Sequence, residues 1–141
     1  MTTVRQASRP AGLSRTTPLP MKFIPDALQG PSITGYGPGW VEVNGEKYHS
    51  SIIVSSQGVI QPWSCLRFED LGEPHFEELA TFASELVLFG SGASIRFTHP
   101  QWLKPLYSRR IGLETMDTQA ACRTYNFLSG EGRKVVAALI I

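Results

Sequence analysis

Apolar and polar positions change rhythm along this chain, and the changes predict where its elements begin and end. The clearest stretch is residues 116–141, MDTQAACRTYNFLSGEGRKVVAALII. It opens on Asp117 and Thr118, side chains that cap helix starts, and passes Gly130 and Gly132, which end helices. It closes on an unbroken apolar run over residues 135–141. At about 100° per residue, Ala121, Thr124, Tyr125 and Leu128 share one face with Ala120 at its edge, while Gln119, Arg123 and Asn126 lie opposite. The pattern predicts a helix over 118–129 lying flat on a sheet whose interior strand is the final run.

The same reading applies upstream. LVLF at 86–89 is a short apolar strand of the kind parallel sheets bury on both faces, and 111–116 is a second strand. Residues 72–84 predict a helix with Pro74 in its first turn and Phe76, Leu79, Ala80 and Ala83 on one stripe. Residues 100–110 predict a shorter one, regular from near Lys104 because Pro105 cannot sit deep inside it. Asn44-Gly45 between WVEV and EKYHSSIIV is a type I′ hairpin signal, and a two-residue turn sets Glu42 opposite Lys47 and Val41 opposite Tyr48. Residues 52–54 continue that second strand inward, and 58–60 return as a short third strand that stops at Pro62.

The alternation from residue 86 onward makes two right-handed crossover units. The expected fold class is therefore α/β: a single domain with a central mixed sheet, an N-terminal hairpin that joins it antiparallel, parallel C-terminal strands and about three helices. Residues 23–38 lack either period and are rich in Gly and Pro, which predicts an extended arm across the domain surface. Residues 1–20 carry Arg5, Arg9 and Arg15, many Ser and Thr and no acid, which predicts a disordered tail before a domain over 21–141. An organellar transit peptide has the same composition, although Pro10, Pro18 and Pro20 interrupt an amphipathic helix.

Composition narrows the functional classes. With 141 residues, of which 42% are hydrophobic, the chain suffices for one core. A net charge of +1 supplies no field for nucleic acid. The seven-residue apolar run at 135–141 falls far short of the roughly 20 residues of a membrane span. Cys65 and Cys122 stand apart without metal-ligand spacing, and His49, His75 and His99 share none, so neither a metal nor a cofactor is expected. Reduced thiols fit a cytoplasmic setting.

Residues 116–141, together with GSG at 90–92 and the strand IGLE at 111–114, resemble the Mth-type family of small domains of unknown function. That family includes many proteobacterial proteins, an adipogenesis-associated protein and a mitochondrial assembly factor of respiratory complex I. Asp117, Thr118, Ala121, Arg123, Thr124, Tyr125, Asn126, Leu128, Glu131 and Arg133 stand where the family pattern has them, and Gly90 and Gly92 match its glycine loop. The resemblance implies a single α/β domain, no established enzymatic activity and, through the mitochondrial member, a part in complex assembly. It favours a bacterial cytoplasmic protein, with a mitochondrial one as the alternative.

Candidate site residues follow from both lines. Gly90, Ser91 and Gly92 end a strand, where their N–H groups either form an anion nest or let neighbouring backbone pack close. They match neither a dinucleotide fingerprint nor a nucleophile elbow. Asp117 and Thr118 reach the same sheet edge, with Asp117 as cap or as pocket wall. Arg123 and Asn126 point away from the sheet, and the family pattern assigns them a role: pinning the 23–38 arm or contacting a partner. Glu131 and Arg133 are placed to pair with each other or with Arg123. Trp40 and Trp63 are expected at an exposed interaction surface. No residue is assigned a catalytic role, because no acid, base or nucleophile has a partner at telling spacing. The function expected is a non-catalytic interaction or assembly module with a protein partner and the capacity to self-associate. The alternative is a small-molecule or anion binder, or an enzyme, using the edge formed by Gly90, Ser91, Gly92, Asp117 and Thr118, with Arg123 as anion partner.

Overall fold

The computed structural model describes residues 30–141. The expectations for residues 1–29, namely the tail, the transit peptide, a domain start at Met21 and the first part of the arm, lie outside them. Eight strands and three α-helices form two sheets: β1 (Ile33–Gly37), β2 (Trp40–Val43) and β3 (Glu46–Tyr48) make an antiparallel sheet in that order. The larger sheet contains β4 (Ile52–Ser55), β5 (Val59–Pro62), β6 (Leu86–Gly90), β7 (Gly112–Met116) and β8 (Val135–Leu139), ordered β5-β4-β8-β6-β7. The helices are α1 (Glu73–Ala80), α2 (Lys104–Tyr107) and α3 (Thr118–Gly130).

The final apolar run is the middle strand of five. β8 pairs parallel with β6 and antiparallel with β4, and β6 pairs parallel with β7. Strand alternation then divides its side chains between two cores. Val136, Ala138 and Ile140 join Ile53, Val87 and Phe89 under α1 and α2, with Phe76, Leu79, Leu103, Leu106 and Trp63. Val135, Ala137 and Leu139 join Ile52, Val54 and Leu88 under α3 and the small sheet, with Ala121, Cys122, Tyr125, Val41 and Val43. The layers are thus α1 and α2, the five-stranded sheet, then α3 flanked by β1–β3.

The hairpin register is as the turn chemistry predicts. Asn44 and Gly45 both have positive φ, and Glu42 faces Lys47 while Val41 faces Tyr48. Its place in the fold differs from expectation. The stretch from residue 46 to residue 55 is two strands, not one, because β3 is largely exposed whereas Ile52, Ile53 and Val54 are apolar and need cover on both faces. Only β4 enters the central sheet; the β2–β3 hairpin pairs instead with β1. The described part of the arm is therefore a strand. Its period is obscured by a register irregularity between Ile33 and Gly35 and by glycines over which the Trp40 ring lies; a Cβ on Gly37 would sit 2.5 Å from Trp40 Nε1.

α3 holds that strand with side chains. Asn126 accepts from the Ile33 N–H at 2.9 Å and donates to the Ile33 carbonyl at 2.7 Å, so its amide completes the outer edge of β1 as a neighbouring strand does. Arg123 donates to the Tyr36 hydroxyl at 3.0 Å, and the buried Tyr125 hydroxyl donates to the Pro31 carbonyl at 2.8 Å. Arg133 bonds Glu85 at 2.9 Å, not Glu131 or Arg123, because the turn after α3 carries it towards the entrance of β6. Glu131 is the C-cap residue of α3.

Both thiols are buried, and desolvation pushes Cys65 up to about 11 and Cys122 up to about 12. Unfolded thiols ionise near 9, so their contribution to stability is complete below pH 9 and falls as pH rises from 9 towards 11–12. At pH 8 the native protein should therefore react with a thiol reagent far more slowly than the same protein in denaturant, where two equivalents react; equal rates contradict the burial. Asn126→Ala should lower stability by about 1–2 kcal/mol in urea unfolding, and Asn126→Asp, which keeps the acceptor and loses the donor, should not restore it. An unchanged midpoint for both would remove the amide from the account of how β1 is held.

Candidate docking cleft at the strand ends

The three parallel strands end at one edge of the large sheet, with Gly90 opposite both Met116 and Leu139. Gly90 has no room for a side chain: a Cβ would lie 2.9 Å from Leu139 Cδ2 and 3.0 Å from Thr118 Cα. That close approach brings the glycine loop and the start of α3 into direct contact. Thr118 donates its N–H to the Gly92 carbonyl at 2.9 Å, accepts the Gly92 N–H on its hydroxyl at 2.9 Å and donates that hydroxyl to the Ile140 carbonyl at 2.6 Å. Ser91 donates its N–H to the Met116 carbonyl at 2.9 Å, and its hydroxyl bonds the Ser94 carbonyl and the Arg96 N–H.

These bonds decide between the two readings of the loop. The N–H groups of Ser91 and Gly92 already have acceptors inside the protein, so they do not form an anion nest; Gly90 provides close packing and Gly92 a positive φ of 108°. Asp117 caps α3, its Oδ1 accepting from the Ala120 N–H at 2.9 Å. It does so half-buried at the mouth of a cleft of about 460 Å³. The cleft is lined by residues 36–41, 92–93, 117–119 and 140–141, so it lies where the large sheet, α3 and the β1–β2 turn meet.

The structure thus gathers Gly90, Ser91, Gly92, Asp117 and Thr118 at one edge, but only the last three of these reach the cleft wall. Arg123 and Asn126 are not among its lining residues; both are engaged along β1. Trp40 does line it, half-buried, with the Lys47 ammonium 4.4 Å from its ring centroid. Trp63 is not an interaction surface. It is 1% exposed and packs edge-on against His75, Phe76 and Phe89, because the segment after β5 turns inward under α1. The residues missed by the sequence reading are those of the β1–β2 turn, whose one signal is Gly37-Pro38-Gly39; that pattern marks a turn without saying what it faces.

Among the described residues, no group of three or more His, Cys, Asp and Glu could hold a metal ion, and no helix is long and apolar enough to cross a membrane. The glycine contact is directly testable. Gly90→Ala should destabilise the fold by about 1–3 kcal/mol through overpacking against Leu139 and Thr118, measured by thermal or urea unfolding. A variant as stable as the parent would show that the loop can retreat without cost.

Known proteins share this architecture. The profile of the family described as "Protein of unknown function (DUF498/DUF598)" matches residues 33–140. NADH dehydrogenase (ubiquinone) 1 alpha subcomplex assembly factor 3 of Bos taurus is 31% identical over 137 residues, 96% of this chain and 68% of that relative. A crystal structure of a Bordetella parapertussis protein superposes with a TM-score of 0.75 at 37% identity, covering 78% of this chain and 94% of the other. The solution structure of a Bordetella pertussis Mth938-like domain gives a TM-score of 0.72 at 30% identity, covering 89% and 90%. With its large sheet, α3 and the glycine loop all inside the matched region, the chain belongs to the DUF498/DUF598 family of proteins of unknown function.

Proposed function

We propose that this protein is a non-catalytic assembly factor that docks on a protein partner, with subunits or assembly factors of respiratory complex I as its clients. The observation that carries the reading is the 31% identity over 96% of the chain to a protein named as a complex I assembly factor. The match spans about two thirds of that relative, and the proposal places the client-binding surface in the shared domain. The geometry of the strand-end edge supports the same reading. The hydroxyls of Ser91 and Thr118, which a chemical mechanism would recruit, are committed to backbone partners that hold the loop and α3 together. The proposed compartment is the bacterial cytoplasm, in keeping with the bacterial origin of the two structural relatives. A mitochondrial setting is the alternative, with residues 1–20 as its transit peptide.

Deleting the gene from its host should reduce assembled NADH dehydrogenase on native gels while the transcripts of its subunits stay level, and re-expression of the full chain should restore it. Undiminished assembled enzyme in the deletion strain would refute the respiratory client.

A further inference from the structure

The cleft at the strand ends has a definite chemical character, and it is opposite in sign to an anion site. Its walls are predominantly apolar: Pro38, Val41, Ile140 and Ile141, together with the Trp40 indole. The Gly92 N–H at its edge has its acceptor in Thr118, so it offers nothing to an anion. Asp117 is the acidic side chain among the lining residues, and no Lys or Arg is among them. Its Oδ1 is committed to the Ala120 N–H, and Oδ2 takes no hydrogen bond among the described residues.

Two cations lie near the cleft, and neither forms an ion pair with Asp117, although Arg123 is close enough to feel its charge. Lys47 lies over the Trp40 ring, and Arg123 donates to the Tyr36 hydroxyl on the outer side of α3. A cleft of about 460 Å³ falls within the usual range for ligand sites, about 300–1,000 Å³. It combines apolar walls with one carboxylate oxygen still open to a donor, which suits a group that is greasy along its length and positively charged at its tip. Arginine and lysine side chains beside an aliphatic residue have that form.

We infer that the cleft is the docking site for a protein segment that inserts an aliphatic residue between Trp40 and Ile140 and sets an adjacent arginine or lysine on the Asp117 carboxylate. The inference rests on the reading of the protein as a docking module and names the chemistry of the partner. Asp117 has two tasks in it: Oδ1 caps the helix and Oδ2 receives the cation. The two separate cleanly by substitution, because asparagine is as good a cap as aspartate but carries no charge.

The test is a titration of the full-length protein with three blocked probes, followed by backbone amide NMR shifts: acetyl-Leu-Arg-Leu-amide, acetyl-Leu-Glu-Leu-amide and acetyl-arginine-amide. The arginine peptide should shift the amides of Trp40, Gly92 and Gln119, and the glutamate peptide should not. Asp117→Asn should retain the native spectrum and bind the arginine peptide at least about tenfold more weakly, as expected for loss of a charge-assisted hydrogen bond. Equal binding by the Asp117→Asn variant, equal binding of the glutamate peptide, or shifts that map away from the cleft would each overturn the assignment. Binding of acetyl-arginine-amide as tight as that of the peptide would overturn it in favour of a site for a small free cation. Returning Asp117→Asn to the deletion strain separates this inference from the reading beneath it. If the parent chain restores assembled NADH dehydrogenase and the variant does so fully, the cleft is not the docking site although the assembly role stands. If the deletion has no effect on assembly, the assembly role itself fails, whatever the peptides do.

Discussion

The structure depends on one strand being apolar on both faces. Each residue of β8 from Val135 to Leu139 is fully buried, and burying a valine or leucine side chain is worth about 1.5–3 kcal/mol. Such a strand cannot lie at a sheet edge or face water on one side; it requires a neighbour on each flank and a cover on each face. β4 and β6 provide the flanks. α1 and α2 cover one face, and α3 covers the other. Ala137 and Ala138 leave room for the larger side chains above and below, among them Tyr125 and Phe89.

α3 is where the second half of the fold is attached. Its inner side packs Ala121, Cys122 and Tyr125 onto the sheet, and its outer side presents polar groups at the spacing of a strand edge. The Asn126 amide, one donor and one acceptor in a plane, matches the N–H and C=O of Ile33. The small sheet is therefore tied through a helix side chain and not through a shared strand, with Tyr125 and Arg123 bonding residues on either side of the same contact. An interface of that kind leaves a seam, and the cleft beside Asp117 lies along it.

The glycine loop and the cap of α3 divide packing and helix capping among neighbouring residues. Gly90 is small because Thr118 and Leu139 approach it, and Thr118 is polar because two backbone groups, the Gly92 N–H and the Ile140 carbonyl, converge on its hydroxyl. Those contacts make the floor of the cleft rigid and chemically closed. Asp117, one residue earlier, keeps an oxygen that the cap does not use. The polar group left open at this edge is therefore a carboxylate beside an apolar wall.

Local pattern was enough for every feature whose cause is local. The type I′ turn at Asn44-Gly45, the Asp117 cap, the outward side of α3 with Arg123 and Asn126, and the interior position of β8 all follow from backbone sterics, capping chemistry and hydrophobic period, which act over a few residues, whereas the full burial of Cys122 does not. The family, too, was legible in the 116–141 run. Tertiary structure decided the rest, because it depends on surfaces that meet from far along the chain. The strand character of residues 33–37 comes from β2 and Asn126, since glycines and a register irregularity erase any period there. Trp63 is a core residue and Trp40 a cleft residue, although a tryptophan after Gly39 or Pro62 looks the same in either place. The charge of the cleft was set in the same way: whether the loop's N–H groups are open or engaged depends on where Thr118 and Met116 arrive, and chain separation of about 26 residues leaves no local trace of that.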